Sequence, residues 1–292
     1  MIDGFTETRI DTGDVTLSVH RAGQGHPLIL LHGYPQNHHC WARVAPAFAE
    51  HFDTIIPDLR GYGASDAPPD DPDHTVYFKR RMAEDIIGLM DTLNLDRAHI
   101  LGHDRGARVT YRLALDHPRR IAHMGIIEIV PTGDFWAAWN ADLAMAAYHW
   151  TFLAQPHPLP ETLIAADPEG YIDHTLKSWT LAKDLSAFRP EALASYRAQA
   201  ADPARLHAMC ADYRAGATTD RRIDEAETAQ IAAPTMFLYA EAGFPARSGD
   251  PAALWSRWCA DLQTASCRSG HFAMEENPEA VTRTFLPFFR AR

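Results

Sequence analysis

The segment Gly102-His103-Asp104-Arg105-Gly106 puts a carboxylate between two glycines, directly after the apolar run Ala98–Gly102 and before a helical pattern opening Ala107-Arg108-Val109-Thr110-Tyr111. Strand, G-x-Nuc-x-G and helix in that order form a nucleophile elbow, in which small neighbours allow a strained turn to expose one side chain. Asp104 fills the nucleophile slot. Taken alone, an Asp before a helix reads as an N-cap. Two further pieces favour the chemical reading: His32-Gly33-Tyr34-Pro35, after the first buried strand, can bring a backbone N–H to an oxyanion, and His271 in Ser269-Gly270-His271-Phe272 supplies a base. A carboxylate acylates poorly but attacks a saturated carbon that carries a leaving group, which yields an alkyl ester. A histidine then activates water against the Asp104 carbonyl carbon, and the N–H groups of Arg105 and Tyr34 hold the tetrahedral oxygen.

Arg105 and Arg108, three residues apart, share one face of the helix that begins at the nucleophile. With Arg112 they could form a solvated basic stripe. A helix following an elbow is packed centrally, however, and a guanidinium there needs an anion. A substrate carboxylate held by both would supply it, implying a short acid whose reactive carbon is one bond from its carboxylate.

These residues need a scaffold, and the chain has the material for one: 292 residues, 46% hydrophobic and 22% charged, with 17 Gly and 20 Pro. Apolar runs at Leu28–Leu31, Thr54–Pro57, Ala98–Gly102, Met124–Val130, Thr235–Ala240 and Thr264–Cys267 read as strands. Met82–Leu93, Ala107–Asp116, Ala252–Cys259 and Pro278–Phe289 have helical periodicity. The segment before Leu28 reads as an antiparallel edge hairpin, with Gly23-Gln24-Gly25 as a hairpin turn rather than a dinucleotide loop. The scheme is α/β, a mostly parallel sheet flanked by helices. Between about Thr132 and Glu225 the strand signal stops and proline-punctuated helical patterns take over, so residues 1–131 and 226–292 are expected to form one core domain and 132–225 an inserted helical cap. Trp136, Trp139, Trp150 and Trp179 lie in the insertion; most of them are expected simply to pack it onto the core.

The stretches HGYP, DLRGYGASD, GHDRGAR and SGHF resemble those of the α/β-hydrolases from end to end of the core, and DRGAR, YRLALDHP, YHWTFLAQP, SWT, DLSAF and CADYRAGA are similar to the fluoroacetate (haloacetate) dehalogenases. The resemblance implies that His149, Trp150 and Tyr213 hydrogen-bond the departing halide, with Trp179 lining the same pocket. Three N–H and O–H donors in a dry site would suit a poor leaving group such as fluoride. It also implies a homodimer and a triad acid after the strand that follows the elbow helix. That slot holds Glu128 where the family has Asp, and Tyr34 stands where the family usually has Phe. Asp134 and Asp250 are alternative acids. The expected activity is hydrolysis of haloacetate to glycolate and halide. An epoxide hydrolase with the same Asp and His, using Tyr213 and Tyr148 as proton donors, is the nearest alternative, and a non-catalytic small-acid-binding protein is a third reading.

Other classes are disfavoured. The 27 Lys and Arg against 38 Asp and Glu give a net charge of -11, which repels nucleic acid and anionic membranes. Cys40, Cys210, Cys259 and Cys267 make no C-x-x-C pair, no apolar run could span a bilayer, and the start has no signal-peptide pattern, so a reducing cytoplasm is expected. No cofactor or metal is expected: His38-His39 and His157 read as loop or surface residues, and Asp58–Asp66 as a structural loop on the rim of the site.

Overall fold

In the computed structural model, which describes residues 2–291, eight strands form a single sheet in the order β1-β2-β4-β3-β5-β6-β7-β8. They are β1 (Thr6–Asp11), β2 (Thr16–Ala22), β3 (Pro27–Leu31), β4 (Asp53–Pro57), β5 (Ala98–His103), β6 (Ile121–Ile127), β7 (Thr235–Ala240) and β8 (Leu262–Cys267). Pairing is parallel from β4 through β8 and antiparallel for β1 with β2 and β2 with β4. The central strands β4 and β5 are buried along their whole length, as their unbroken apolar runs require when helices cover both faces.

Two sequence expectations need correcting. Gly23-Gln24-Gly25 is not a hairpin turn: it joins β2 to β3, which are separated by β4, while the β1–β2 turn is made at Thr12–Val15 with Gly13 at φ 94°. The sixth strand runs from Ile121 to Ile127 rather than from Met124 to Val130, because Glu128 takes φ 61°, a left-handed conformation that ends the ladder.

The elbow is built by close packing. Asp104 sits at φ 47°, strained for a residue with a Cβ, and opens the helix Asp104–Asp116. A Cβ on Gly102 would lie 2.6 Å from Ala107 Cα, and one on Gly106 2.4 Å from the Leu31 carbonyl, so only glycine lets this helix settle against β3 and β5. The helix is buried from Asp104 to Ala114.

Between β6 and β7 the described chain is a run of eight helices, from Thr132–Ala137 to Thr219–Ala226. Its prolines start helices rather than break them: Pro160, Pro168, Pro190 and Pro203 all stand in first turns, where the missing N–H costs nothing. Trp136 and Trp139 pack on each other, ring centroids 5.0 Å apart. No described helix is long and apolar enough to cross a membrane.

Candidate active site

Asp104 is 6% exposed, and its Oδ1 accepts the Tyr34 backbone N–H at 2.8 Å. A Cβ on Gly33 would lie 2.6 Å from that oxygen, so the turn before Tyr34 must be glycine for the N–H to reach it. The other oxygen, Oδ2, faces His271 Nε2 at 3.7 Å. Burial by itself raises the Asp104 pKa. Attraction to His271 and His103, and after them to Arg105 and Arg108, outweighs that, so the carboxyl sits below its ordinary range.

Backbone contacts hold His271 in place. Its N–H donates to the Trp179 carbonyl (2.9 Å), its carbonyl lies 2.8 Å from His103 Nε2, and a Cβ at Gly270 would strike the Trp179 carbonyl at 2.3 Å. Glu276 accepts from the N–H groups of Gly270 and Phe272, which fixes the loop. Neither ring nitrogen of His271 has a hydrogen bond among the described residues. Burial, reinforced by His103, pushes its pKa well below the ordinary value, so the imidazole is neutral.

Glu128 Oε1 stands 3.9 Å from His271 Nδ1, beyond hydrogen-bond reach. Its carboxylate is already engaged by the N–H groups of Ala240 (2.6 Å) and Phe244 (3.0 Å). The two alternative acids are corrected: Asp134 pairs with Arg257 and Trp258, and Asp250 caps the helix Pro251–Trp258, so neither is directed at His271.

The two arginines differ. Arg105 is fully buried and clasped by Asp212, Nε lying 3.1 Å from both carboxylate oxygens and Nη2 2.5 Å from Oδ1. The expectation that Arg105 needs a substrate anion is therefore corrected; an internal aspartate meets that need and leaves only Nη1 without a partner. Arg108 makes no ion pair or hydrogen bond with a carboxylate among the described residues; Asp104 and Asp224 act on it only at longer range. Its Nη1 donates to the Val130 carbonyl and Thr132 Oγ1, Nε is unpartnered, and burial lowers its pKa. Both guanidiniums lie over the Trp150 ring, at 5.4 and 4.6 Å.

From the helical segment, His149 and Trp150 line the cavity that Asp104 enters, with Tyr213 packed against both. Tyr213 meets His149 and Trp150 edge to face, at 5.6 and 5.7 Å, and its hydroxyl has no partner, nor does His149 Nδ1. Burial pushes His149 down to about 3, so that ring too is neutral. Trp179 packs 4.3 Å from His149 and 5.4 Å from His271. Tyr34 is buried with its hydroxyl 3.4 Å from that of Tyr171. Asp104, Arg108, Glu128, His149, Trp150 and His271 together line one narrow cavity of about 10 Å³, with Phe244 at its edge.

The sequence does not single out Asp212: only the structure shows that every residue of its helix from Ala208 to Gly216 is buried, which obliges an acid there to have a cationic partner. Gly243 and Thr132 carried no signal, since their importance lies in contacts remote in sequence. His38 is corrected from a surface residue to a buried one that binds Asp58 at 2.9 Å, while His157 is exposed. Asp58 also accepts from the His38 and Ala64 N–H groups, and the Leu59 N–H donates to His32 Nε2 at 3.0 Å, which ties the loop Asp58–Asp66 to the HGYP turn. Among the described residues two groups bring potential metal-ligating atoms within 4.8 Å of one another, His20/His38/Asp58 and His157/Glu161/His207. Neither includes Asp104 or His271, and the His20 and His38 rings stack at 3.7 Å.

An eight-stranded, mostly parallel sheet with a strained acid at the elbow and a histidine after the last strand defines an α/β hydrolase, and the chain belongs to that family: residues 26–278 match the α/β hydrolase fold. The chain is 40% identical over 289 residues to the fluoroacetate dehalogenase of Burkholderia sp, covering 99% of this chain and 95% of that protein. It is 30% identical to the soluble epoxide hydrolase of Corynebacterium sp. (strain C12), covering 92% and 91%. A solved structure from Nostoc sp PCC 7120, assigned provisionally as an α/β hydrolase, superposes with a TM-score of 0.97 at 42% identity over 100% of both chains.

Proposed function

We propose that this protein hydrolyses the carbon–halogen bond of short 2-haloacids, most simply haloacetate to glycolate and halide, through an ester on Asp104. The observation that carries the reading is a set of buried polar atoms without protein partners around one carboxylate: Arg105 Nη1, Arg108 Nε, His149 Nδ1, Tyr213 Oη and both His271 nitrogens. Buried polar groups cost free energy unless satisfied, so this set matches a ligand with an anionic end and a second acceptor. The Burkholderia relative supports the same substrate class.

In this mechanism Arg108, with Arg105 Nη1 beside it, takes the substrate carboxylate. Asp104 Oδ2 attacks the adjacent carbon, and the carbon–halogen bond breaks with its electron pair leaving on the halide, received by His149, Trp150 and Tyr213. His271 removes a proton from water as the water oxygen attacks the ester carbonyl carbon of Asp104. The negative oxygen is Oδ1, stabilised by the Tyr34 N–H and the neighbouring Arg105 N–H. Collapse breaks the bond to Oδ2, His271 returns its proton to the glycolate oxygen, and Asp104 loses its new proton to solvent. Burial pushes the Glu128 pKa well up while the Ala240 and Phe244 N–H groups favour its anion, and in that ionised form it stabilises the transient imidazolium through space. Residues 132–225 act as the cap that supplies the halide donors.

A parallel assay on chloroacetate, an epoxide and a haloalkane tests the reading. Halide release from the haloacid alone is expected, because an uncompensated Arg108 favours an anion over either neutral substrate. Diol formation without haloacid turnover would favour the epoxide reading that the Corynebacterium relative keeps in view.

Two further results are expected. Gly243→Ala would place a Cβ 1.5 Å from Glu128 Oε1 and force the carboxylate aside, while the backbone at φ -87° accepts alanine. Turnover should drop by about 100-fold, and the thermal midpoint should fall too because the displaced carboxylate loses the Ala240 and Phe244 N–H groups, as kcat beside a melting curve would record. Second, His271 works as a base only when neutral, and its lowered pKa keeps it neutral to more acid pH; ester formation also removes the Asp104 charge, which opposes that shift. The acid limb of kcat should therefore lie below about pH 6.5 in a pH–rate profile.

A further inference from the structure

A second cavity, about 230 Å³ in volume, adjoins the narrow one, and the two share Phe244 and His271 in their walls. Its mouth carries Lys183, just beyond the helix Pro168–Trp179, and Arg247, which ends the short helix Phe244–Arg247. Both are exposed, and neither meets a carboxylate among the described residues; Lys183 Nζ donates only to the Ser178 carbonyl (2.7 Å). Burial, and after it the nearby Arg247, lower the Lys183 pKa. The acid on that side, Glu276, is already tied to the N–H groups of Leu181, Gly270 and Phe272. Lys183 also holds φ 59°, a conformation costly for a lysine, at the rim. On a chain with a net charge of -11, a small anion approaching at random is repelled, so an unpaired cationic doorway beside His271 is the place where it would gain entry.

We infer that this outer cavity is an anion-capture vestibule, in which Lys183 and Arg247 draw in a small carboxylate and hold it before it passes Phe244 and His271 to Arg108. This rests on the haloacid reading for the identity of the substrate, though not for the capture step. Acetate serves as an unreactive carboxylate probe, with the fluorescence of Trp179 in the vestibule wall following its association. For the Lys183→Gln/Arg247→Gln double variant the association rate constant is expected to fall about threefold or more in about 10 mM salt and to converge with the wild type in about 0.5 M salt, where such fields are screened. Lys183→Arg/Arg247→Lys should retain the wild-type rate, and acetamide, which is neutral, should show no difference. Equal acetate rates for wild type and double variant at low salt would overturn the inference. Halide release from chloroacetate is measured on the same proteins; a wild type that releases none would overturn the haloacid reading, while the acetate rates decide the vestibule independently.

Discussion

The His271→Asn variant, incubated with chloroacetate, is expected to release about one halide per chain and then stall, its intact mass raised by one carboxymethyl group. Alkylation of Asp104 needs no base, because Oδ2 is already an anion and Oδ1 is held by the Tyr34 N–H. Hydrolysis of the ester does need one. Nε2 of His271 is the basic nitrogen facing the carboxylate, 3.7 Å away, and asparagine offers no group able to take a proton from water. Loss of a general base costs typically 10²–10⁴-fold, sufficient to make the ester accumulate. The wild type supplies the companion test. A single turnover in oxygen-18 water should label a carboxyl oxygen of Asp104 and leave the first glycolate unlabelled. Steady turnover by the variant without an adduct, or label going straight into the product, would overturn the covalent route.

Asp212→Ala should lower the thermal midpoint by on the order of 10 °C. The Asp212 carboxylate lies between Arg105 and Lys79, both buried, and also accepts the Tyr62 hydroxyl at 3.0 Å. Burial alone would raise its pKa; Arg105 and Lys79 outweigh this and hold it at about 2. Removing it strands two cations in the interior with no ion-paired carboxylate closer than Asp220, 3.9 Å from Lys79, and with Asp104 acting on Arg105 only at longer range, a loss of about 3–5 kcal/mol for a broken buried pair. Asp212→Asn keeps the shape and some hydrogen bonds and should fall between the two. Because Asp212 also aims Arg105, the KM for haloacid should rise in both variants at temperatures where they remain folded. A midpoint within about 2 °C of wild type would mean that the ion pair contributes little.

Much of this molecule can be read along the chain, because its signals are local. Gly102 and Gly106 around Asp104 mark a turn that must be tight on both sides, and the apolar runs of β3 to β7 mark strands covered on both faces; in each case the residue and its constraint lie within a few positions of each other. Such patterns survive translation into structure with end points shifted by a few residues, as at Ile121–Ile127, where the left-handed turn at Glu128 ended the strand early. The family likeness of DRGAR rests on the same kind of local information.

Side-chain pairing across the fold was decided only when the helical segment met the sheet. A helical spacing of three put Arg105 and Arg108 on one face, but Asp212, more than a hundred residues on, neutralises the first and leaves the second uncompensated. Glu128 could be placed after its strand from sequence, whereas its 3.9 Å distance from His271 and its attachment to the N–H groups of Ala240 and Phe244 depend on a loop from β7. Buried charges and hydrogen bonds fall off within ångströms, so their partners are set by three-dimensional proximity, which separation along the chain does not encode.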